Sequence, residues 1–196
     1  MEMEKNFENI YYSKEYQIAI RNPTKRFLFL QWILDFVCLT EALINNYDRW
    51  YQQLFYIKLA ELFKAKYEDI FEDQGEDRYI LKVSTCLKKI YNVLSDDECI
   101  YILYRRDSAA HPFQDGYDLF KESGDIYENR RALIIKGDSV LLSREDIIRA
   151  IRRVLDTDGN CDQKCDIRIV QKLSPYIMEL KADLSETFLR SINFFK

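Results

Sequence analysis

Apolar residues recur at intervals of three and four along most of this chain, the spacing of one face of an α-helix. Residues 4–21 read as a first helix, stopped by Asn22-Pro23 because a residue before proline avoids the α conformation. After Thr24 the run RFLFLQWILDFVCLTEALI is apolar on nearly all sides, which predicts a central helix covered by its neighbours. Asn45-Asn46-Tyr47-Asp48 predicts a break, with Asp48 as the N-cap of a third helix. Leu54, Ile57, Leu62 and Phe63 stripe that helix, which is expected to run to about Phe71, before a loop at Gln74-Gly75-Glu76-Asp77. Ile80, Val83, Leu87, Ile90 and Leu94 then form a heptad-like seam. Ser95-Asp96-Asp97-Glu98 is a capping box, opening a helix through Cys99, Ile100 and Leu103 into Tyr104-Arg105-Arg106.

The pattern changes at His111-Pro112, where the chain is expected to bend or break within a turn. Residues 113–130, with Gly116 and Gly124, read as irregular with at most a short helix. Ala132–Ile135 and Val140–Leu142 flank Lys136-Gly137-Asp138-Ser139 and carry the chain's one strand signal, a β-hairpin. Ser143-Arg144-Glu145-Asp146 caps a helix with Ile147, Ile151 and Val154 on one face. Ser174-Pro175 reads as an N-cap before an N1 proline, starting a last helix that carries Ile177, Leu180, Leu184 and Phe188. The expected fold class is all-α: a multi-helix bundle with a small β-hairpin appendage, as one domain over residues 1–196.

Composition narrows the chemistry. Five glycines and three prolines in 196 residues argue against a turn-rich β sandwich or a flexible linker protein. No G-x-G-x-x-G and no G-K-[ST] occurs, which excludes the Rossmann and P-loop nucleotide sites. A single histidine excludes H-E-x-x-H zinc sites, and 47% hydrophobic content argues for a packed core over disorder. Net charge −4 gives no global polyanion-binding signature, so any nucleic-acid contact must come from local basic clusters. Of the cysteines at 38, 86, 99, 161 and 165, three lie in apolar runs, which fits a reducing compartment. Cys161 and Cys165 form C-x3-C with no second Cys or His pair nearby and read as an incidental loop pair. Asp156-Thr157-Asp158-Gly159-Asn160 lacks the glycine and glutamate an EF-hand needs and reads as a polar turn. The polar N-terminus and the interrupted stretch Phe27–Leu39 offer neither signal peptide nor membrane span, so a soluble cytoplasmic chain with no metal or other cofactor is expected.

One segment concentrates chemistry: Tyr104-Arg105-Arg106-Asp107-Ser108-Ala109-Ala110-His111-Pro112-Phe113. It holds the chain's one imidazole, which can accept and return a proton near neutral pH. Five residues earlier stands Arg106, whose planar donor fork suits phosphate oxygens. A base for a ribose 2′-hydroxyl and a cation for the phosphoryl oxygens form a minimum kit for metal-free phosphodiester cleavage. Asp107, four residues before His111, shares its face if the turn stays helical and can then fix one ring tautomer. The plainer alternative is a histidine that caps or packs at a helix break beside Asp107.

Arg106-Asp107-x3-His111 resembles the R-x4-6-H signature of the HEPN superfamily (higher eukaryotes and prokaryotes nucleotide-binding domain). The resemblance covers this decapeptide and the helical context of about residues 1–125, leaving out the hairpin and helices of 126–196. It implies a bundle of four or five helices and a metal-independent endoribonuclease, commonly a toxin or antiviral-defence effector, with its site at a homodimer interface. By position it implies Arg106 and His111 as the catalytic pair, Asp107 as the intervening polar residue and Arg105 as an alternative arginine. An antitoxin or regulatory protein is a further partner it suggests. Where toxins paired with nucleotidyltransferase antitoxins carry a tyrosine two residues after the histidine, this chain has Phe113, which speaks against that subtype. Independently, the reaction needs a base and an acid while the chain owns one histidine, so a dimer sharing its site is expected.

Other features read more plainly. Arg130-Arg131 and the stripe Arg144, Arg149, Arg152 and Arg153 can follow an RNA backbone, but the interleaved Glu145 and Asp146 favour a solvated helix face. Tyr11, Tyr12, Phe27, Phe29, Trp32, Trp50 and Tyr51 can stack bases, but their helical spacing favours core packing. Lys88-Lys89 is expected at the surface. Two alternatives to the ribonuclease stay open: a catalytically silent module binding nucleotide, RNA or protein, and an adaptor without a site.

Overall fold

The computed structural model describes residues 25–64, 78–110, 130–135, 138–159 and 161–193. Six helices and one antiparallel hairpin are formed among these residues: α1 (Lys25–Asn45), α2 (Arg49–Lys64), α3 (Arg78–Val93), α4 (Asp96–Ala110), β1 (Arg130–Ile135), β2 (Asp138–Ser143), α5 (Arg144–Thr157) and α6 (Asp162–Asn193). The architecture is the expected all-α bundle with a small hairpin. The expected first helix over 4–21, the end of the third near Phe71 and the loops at 74–77 and 113–129 lie outside the described residues.

Helix α6 is the spine. It packs along α1 and α3 and touches α5, while α1 packs on α2, α2 on α4, and α4 on α5, closing a ring. Every described α1 side chain from Gln31 to Leu43 is buried or half-buried, as its all-round apolar pattern requires. Ile33, Phe36, Phe55, Leu59, Ile90, Tyr101, Ile102, Ile151, Ile169, Leu173 and Ile177 form one continuous core. The seam of α3 is buried at Leu87 and Ile90, with Leu94 just beyond its end.

Caps set the boundaries where the sequence places them. Asp48 Oδ1 accepts from the Trp50 amide at 2.7 Å, starting α2. Ser95 and Glu98 form the reciprocal box, Glu98 N–H to Ser95 Oγ at 3.2 Å and Ser95 N–H to Glu98 Oε2 at 2.8 Å. Ser143 Oγ accepts from the Asp146 amide at 3.1 Å and starts α5. That helix ends in a turn where Gly159 has φ 67°, a left-handed conformation that a side chain would strain. The hairpin is longer than expected, because Ile135 pairs with Asp138 and Ile134 with Ser139. Leu133 and Ile135 face inward and are buried, whereas Leu141 points out.

Three expectations need correction. No helix starts at Ser174-Pro175; α6 runs unbroken from Asp162 to Asn193 with Pro175 inside. Proline in a helix interior costs about 3 kcal/mol by removing a donor and crowding the preceding turn. The stripe Cys165, Ile169, Leu173, Ile177 and Leu180 is buried on both sides of it, and that shared burial outweighs the break. Cys161 and Cys165 are not a loop pair: the Cys165 amide donates to Cys161 O at 3.1 Å in the first turn of α6, and Cys165 is core. Trp50 and Tyr51 are not core, being 73% and 42% exposed, because the buried side of α2 is carried by Gln52, Phe55, Tyr56 and Leu59. All five cysteines are free thiols, and burial pushes Cys165 up to about 12. Among the described residues no helix is long and apolar enough to cross a membrane.

Candidate functional site

Helix α4 remains helical through Tyr104, Arg105, Arg106, Asp107 and Ser108 to Ala110, the residue before His111. His111, Pro112 and Phe113 lie outside the described residues, and with them the expected bend and the Asp107–His111 relation. The two adjacent arginines have different surroundings, because successive helical residues point about 100° apart.

Arg105 points into the bundle between α2 and α6. Its Nη2 donates to Asp166 Oδ2 at 3.0 Å and its Nη1 to Asp162 Oδ2 at 3.1 Å. Asp166 is 1% exposed and serves as a hub. Besides Arg105 it accepts from Tyr101 Oη at 3.1 Å, Tyr47 Oη at 3.2 Å, the Tyr56 hydroxyl and the Gln52 amide. The guanidinium also lies 5.7 Å from the centroid of the Tyr56 ring. Burial pushes the Asp166 carboxyl up, against the opposing pull of Arg105 and the tyrosine hydroxyls. Desolvation by burial, joined by the neighbouring Asp166 charge, raises Tyr56, Tyr101 and Tyr47, which therefore stay protonated as donors. For Arg105, burial lowers the basicity, but Asp166 foremost outweighs it and the net shift is upward.

A second polar rung joins α4 to α6 two turns away. Glu98 accepts from Arg168 Nη1 at 2.7 Å and Lys172 Nζ at 2.6 Å, beyond its capping role. Burial alone would raise Glu98, yet bonds from Lys172, the Ser95 amide and Arg168 hold it below its ordinary value. These rungs, more than close backbone approach, tie α4 to α6.

Arg106 turns another way. Its Nε lies 2.8 Å from Asp107 Oδ1, and the pair is a contact of charge without a directed hydrogen bond. Asp107 is itself buried, so the expected intervening polar residue is a partner of Arg106. Beside this end of α4 opens a cleft of about 100 Å³, lined by Arg49, Gln52, Gln53 and Tyr56 of α2 and by Arg105, Ser108 and Ala109 of α4.

The basic candidates on α3 and α5 are surface features, while the side chains of Arg130 and Arg131 lie outside the described residues. Arg144, Arg149, Arg152 and Arg153 are exposed on α5, as the solvated-face reading expects. Arg149 meets Asp146 at 3.2 Å, and Arg153 grips Asp97 with two bonds of 2.7 Å. Lys88 and Lys89 are exposed, Lys89 reaching Glu179 at 2.5 Å. Among the described residues no group of three or more His, Cys, Asp or Glu is arranged to hold a metal. Asp162 and Asp166 are the residues the sequence reading missed. The available signal was a carboxylate pair at i and i+4 in register with the apolar stripe of α6, matched by Tyr101/Arg105 on α4 and Gln52/Tyr56 on α2. No protein-family model, curated protein or solved structure matches the chain.

Proposed function

We propose that the chain is a HEPN-type, metal-independent endoribonuclease in which His111 moves protons and Arg106 holds the scissile phosphate. The observation that carries this reading is the division between the neighbouring arginines: Arg105 has both terminal nitrogens committed to Asp162 and Asp166, whereas Arg106, on the last turns of α4, meets Asp107 through Nε, so the reading assigns its terminal nitrogens to substrate. Arg105 is thereby a positioning residue that fixes the helix carrying the motif.

In the proposed reaction a neutral imidazole takes the proton of a ribose 2′-hydroxyl as O2′ attacks phosphorus. The bond from phosphorus to O5′ breaks, O5′ takes a proton from an imidazolium, and the products are a 2′,3′-cyclic phosphate and a 5′-hydroxyl. Arg106 stabilises the charge that builds on the non-bridging oxygens. One histidine per chain assigns base and acid to two copies, so the working unit is a homodimer with the α4 ends at the shared site. The same resemblance makes the protein a cytoplasmic toxin or antiviral-defence effector, restrained by an antitoxin or other regulatory protein.

Two conservative variants test it. Arg106→Lys keeps charge but loses the fork, so cleavage should fall by roughly 10²-fold or more with the helical circular dichroism unchanged. Arg105→Lys should instead lower the melting temperature, since lysine cannot span two carboxylates with a planar fork. Normal cleavage by Arg106→Lys would refute the assignment. RNA bound but left uncut by the unmodified protein would replace the enzyme with the silent binding module.

A further inference from the structure

Large exposed hydrophobic side chains are concentrated at one place. Of the five among the described residues, Ile44, Trp50, Tyr51 and Leu54 lie around the junction of α1 and α2. Trp50, at 73% exposed, stands out furthest. It precedes Gln53, which lines the cleft, by three positions and is therefore that residue's neighbour on the surface of α2. Among the described residues no carboxylate lines that cleft, whose polar groups there are two arginines, two glutamines, a tyrosine and a serine. Arg105 and Gln52 are engaged by Asp166 and Asp162, whereas Arg49, exposed at the first position of α2, makes no ion pair among the described residues.

We infer that this surface is a nucleotide subsite for single-stranded RNA, with a backbone phosphate in the cleft against Arg49 and Gln53 and the neighbouring base stacked on Trp50. The inference rests on the ribonuclease reading and deepens it, placing a flanking nucleotide beside the end of α4. The cleft holds about 100 Å³, which suits a phosphate group and leaves the base outside it, where the indole offers an apolar face. Stacking needs an unpaired base, so the subsite selects single strands over duplex. It carries no base-edge code and should tolerate any sequence.

The test uses the full chain carrying His111→Ala, so that RNA survives, and Trp32→Phe, so that Trp50 becomes the sole tryptophan. A twelve-nucleotide oligouridylate should quench its fluorescence saturably, and a duplex of equal length much less. Trp50→Ala, made in the His111→Ala chain that keeps Trp32, should weaken binding of labelled oligouridylate by about 5- to 100-fold with an unchanged circular dichroism spectrum. Arg49→Gln should reduce affinity most at low salt and flatten the dependence of log affinity on log salt by about 0.7. Unchanged affinity in Trp50→Ala would overturn the subsite, even where the unmodified chain cuts RNA. Quenching of Trp50 in a chain whose unmodified form cuts nothing would leave the subsite standing and remove the ribonuclease. A fall in molar mass on Trp50→Ala, with RNA binding unaltered, would assign the patch to a second copy of the chain and overturn the inference.

Discussion

Removing the carboxylate of Asp166 should be among the most damaging single changes in this protein. Asp166→Ala takes the acceptor from five donors on three segments: Tyr47 before α2, Gln52 and Tyr56 on α2, and Tyr101 and Arg105 on α4. Breaking a buried ion pair by deleting one partner costs about 3–5 kcal/mol. Here the low end applies to that pair, because Arg105 keeps Asp162, whose side chain is 53% exposed. The Tyr56 hydroxyl, fully buried, adds about 1–3 kcal/mol when left without its acceptor. These effects share one site and do not add in full, so the expected loss is about 4–6 kcal/mol. At roughly 2–4 °C per kcal/mol for a chain of this size, the melting temperature should fall by about 8–24 °C. Urea unfolding of the single variants Asp166→Ala and Arg105→Met and of their double measures the coupling directly. A loss under about 1 kcal/mol, or a double variant whose loss equals the sum of the singles, would refute the hub.

Glu98→Gln should destabilise by about 1.5–3 kcal/mol in urea, more than the ~1 kcal/mol of Ser95→Ala, since only the glutamate holds Arg168 and Lys172; equal losses would reduce Glu98 to its capping role. The depressed Glu98 carboxyl supplies stability that is complete above the ordinary carboxylate range and is lost as pH falls through its lower folded value. Asp166, raised by burial, acts in the opposite sense and gains stability as pH falls through its raised value. Glu98→Gln should therefore flatten the loss of stability between about pH 5 and 3, and an unchanged acid limb would contradict this. Pro175→Ala restores a donor inside α6 and should raise the melting temperature by about 2–10 °C; a lower value would show that the proline is accommodated without cost.

Helices α1 to α5 are legible because each has a local signal: the apolar run of α1, Asp48 for α2, the heptad-like seam of α3, the Ser95/Glu98 box for α4 and Ser143 for α5. Helix α6 was misjudged for a non-local reason. Ser174-Pro175 is a valid start signal locally, and only burial of one face along α1, α3 and α5 carries the helix through it. Trp50 and Tyr51 show the same limit, since spacing reveals that a helix has two faces, and packing decides which aromatic is covered. At the site, the arginine pair was visible and its division of labour was not. Which arginine points inward depends on Asp162 and Asp166, more than fifty residues away in sequence. A buried carboxylate in an apolar stripe reads locally as an ordinary polar edge.

His111 carries the proposed reaction, and cleavage of total RNA in EDTA by the unmodified protein and by His111→Ala, at matched helical circular dichroism, tests that role most directly. The expected result is RNA cut to fragments ending in 2′,3′-cyclic phosphate by the first and intact RNA with the second. Equal cleavage by both proteins, or none by either, would contradict it.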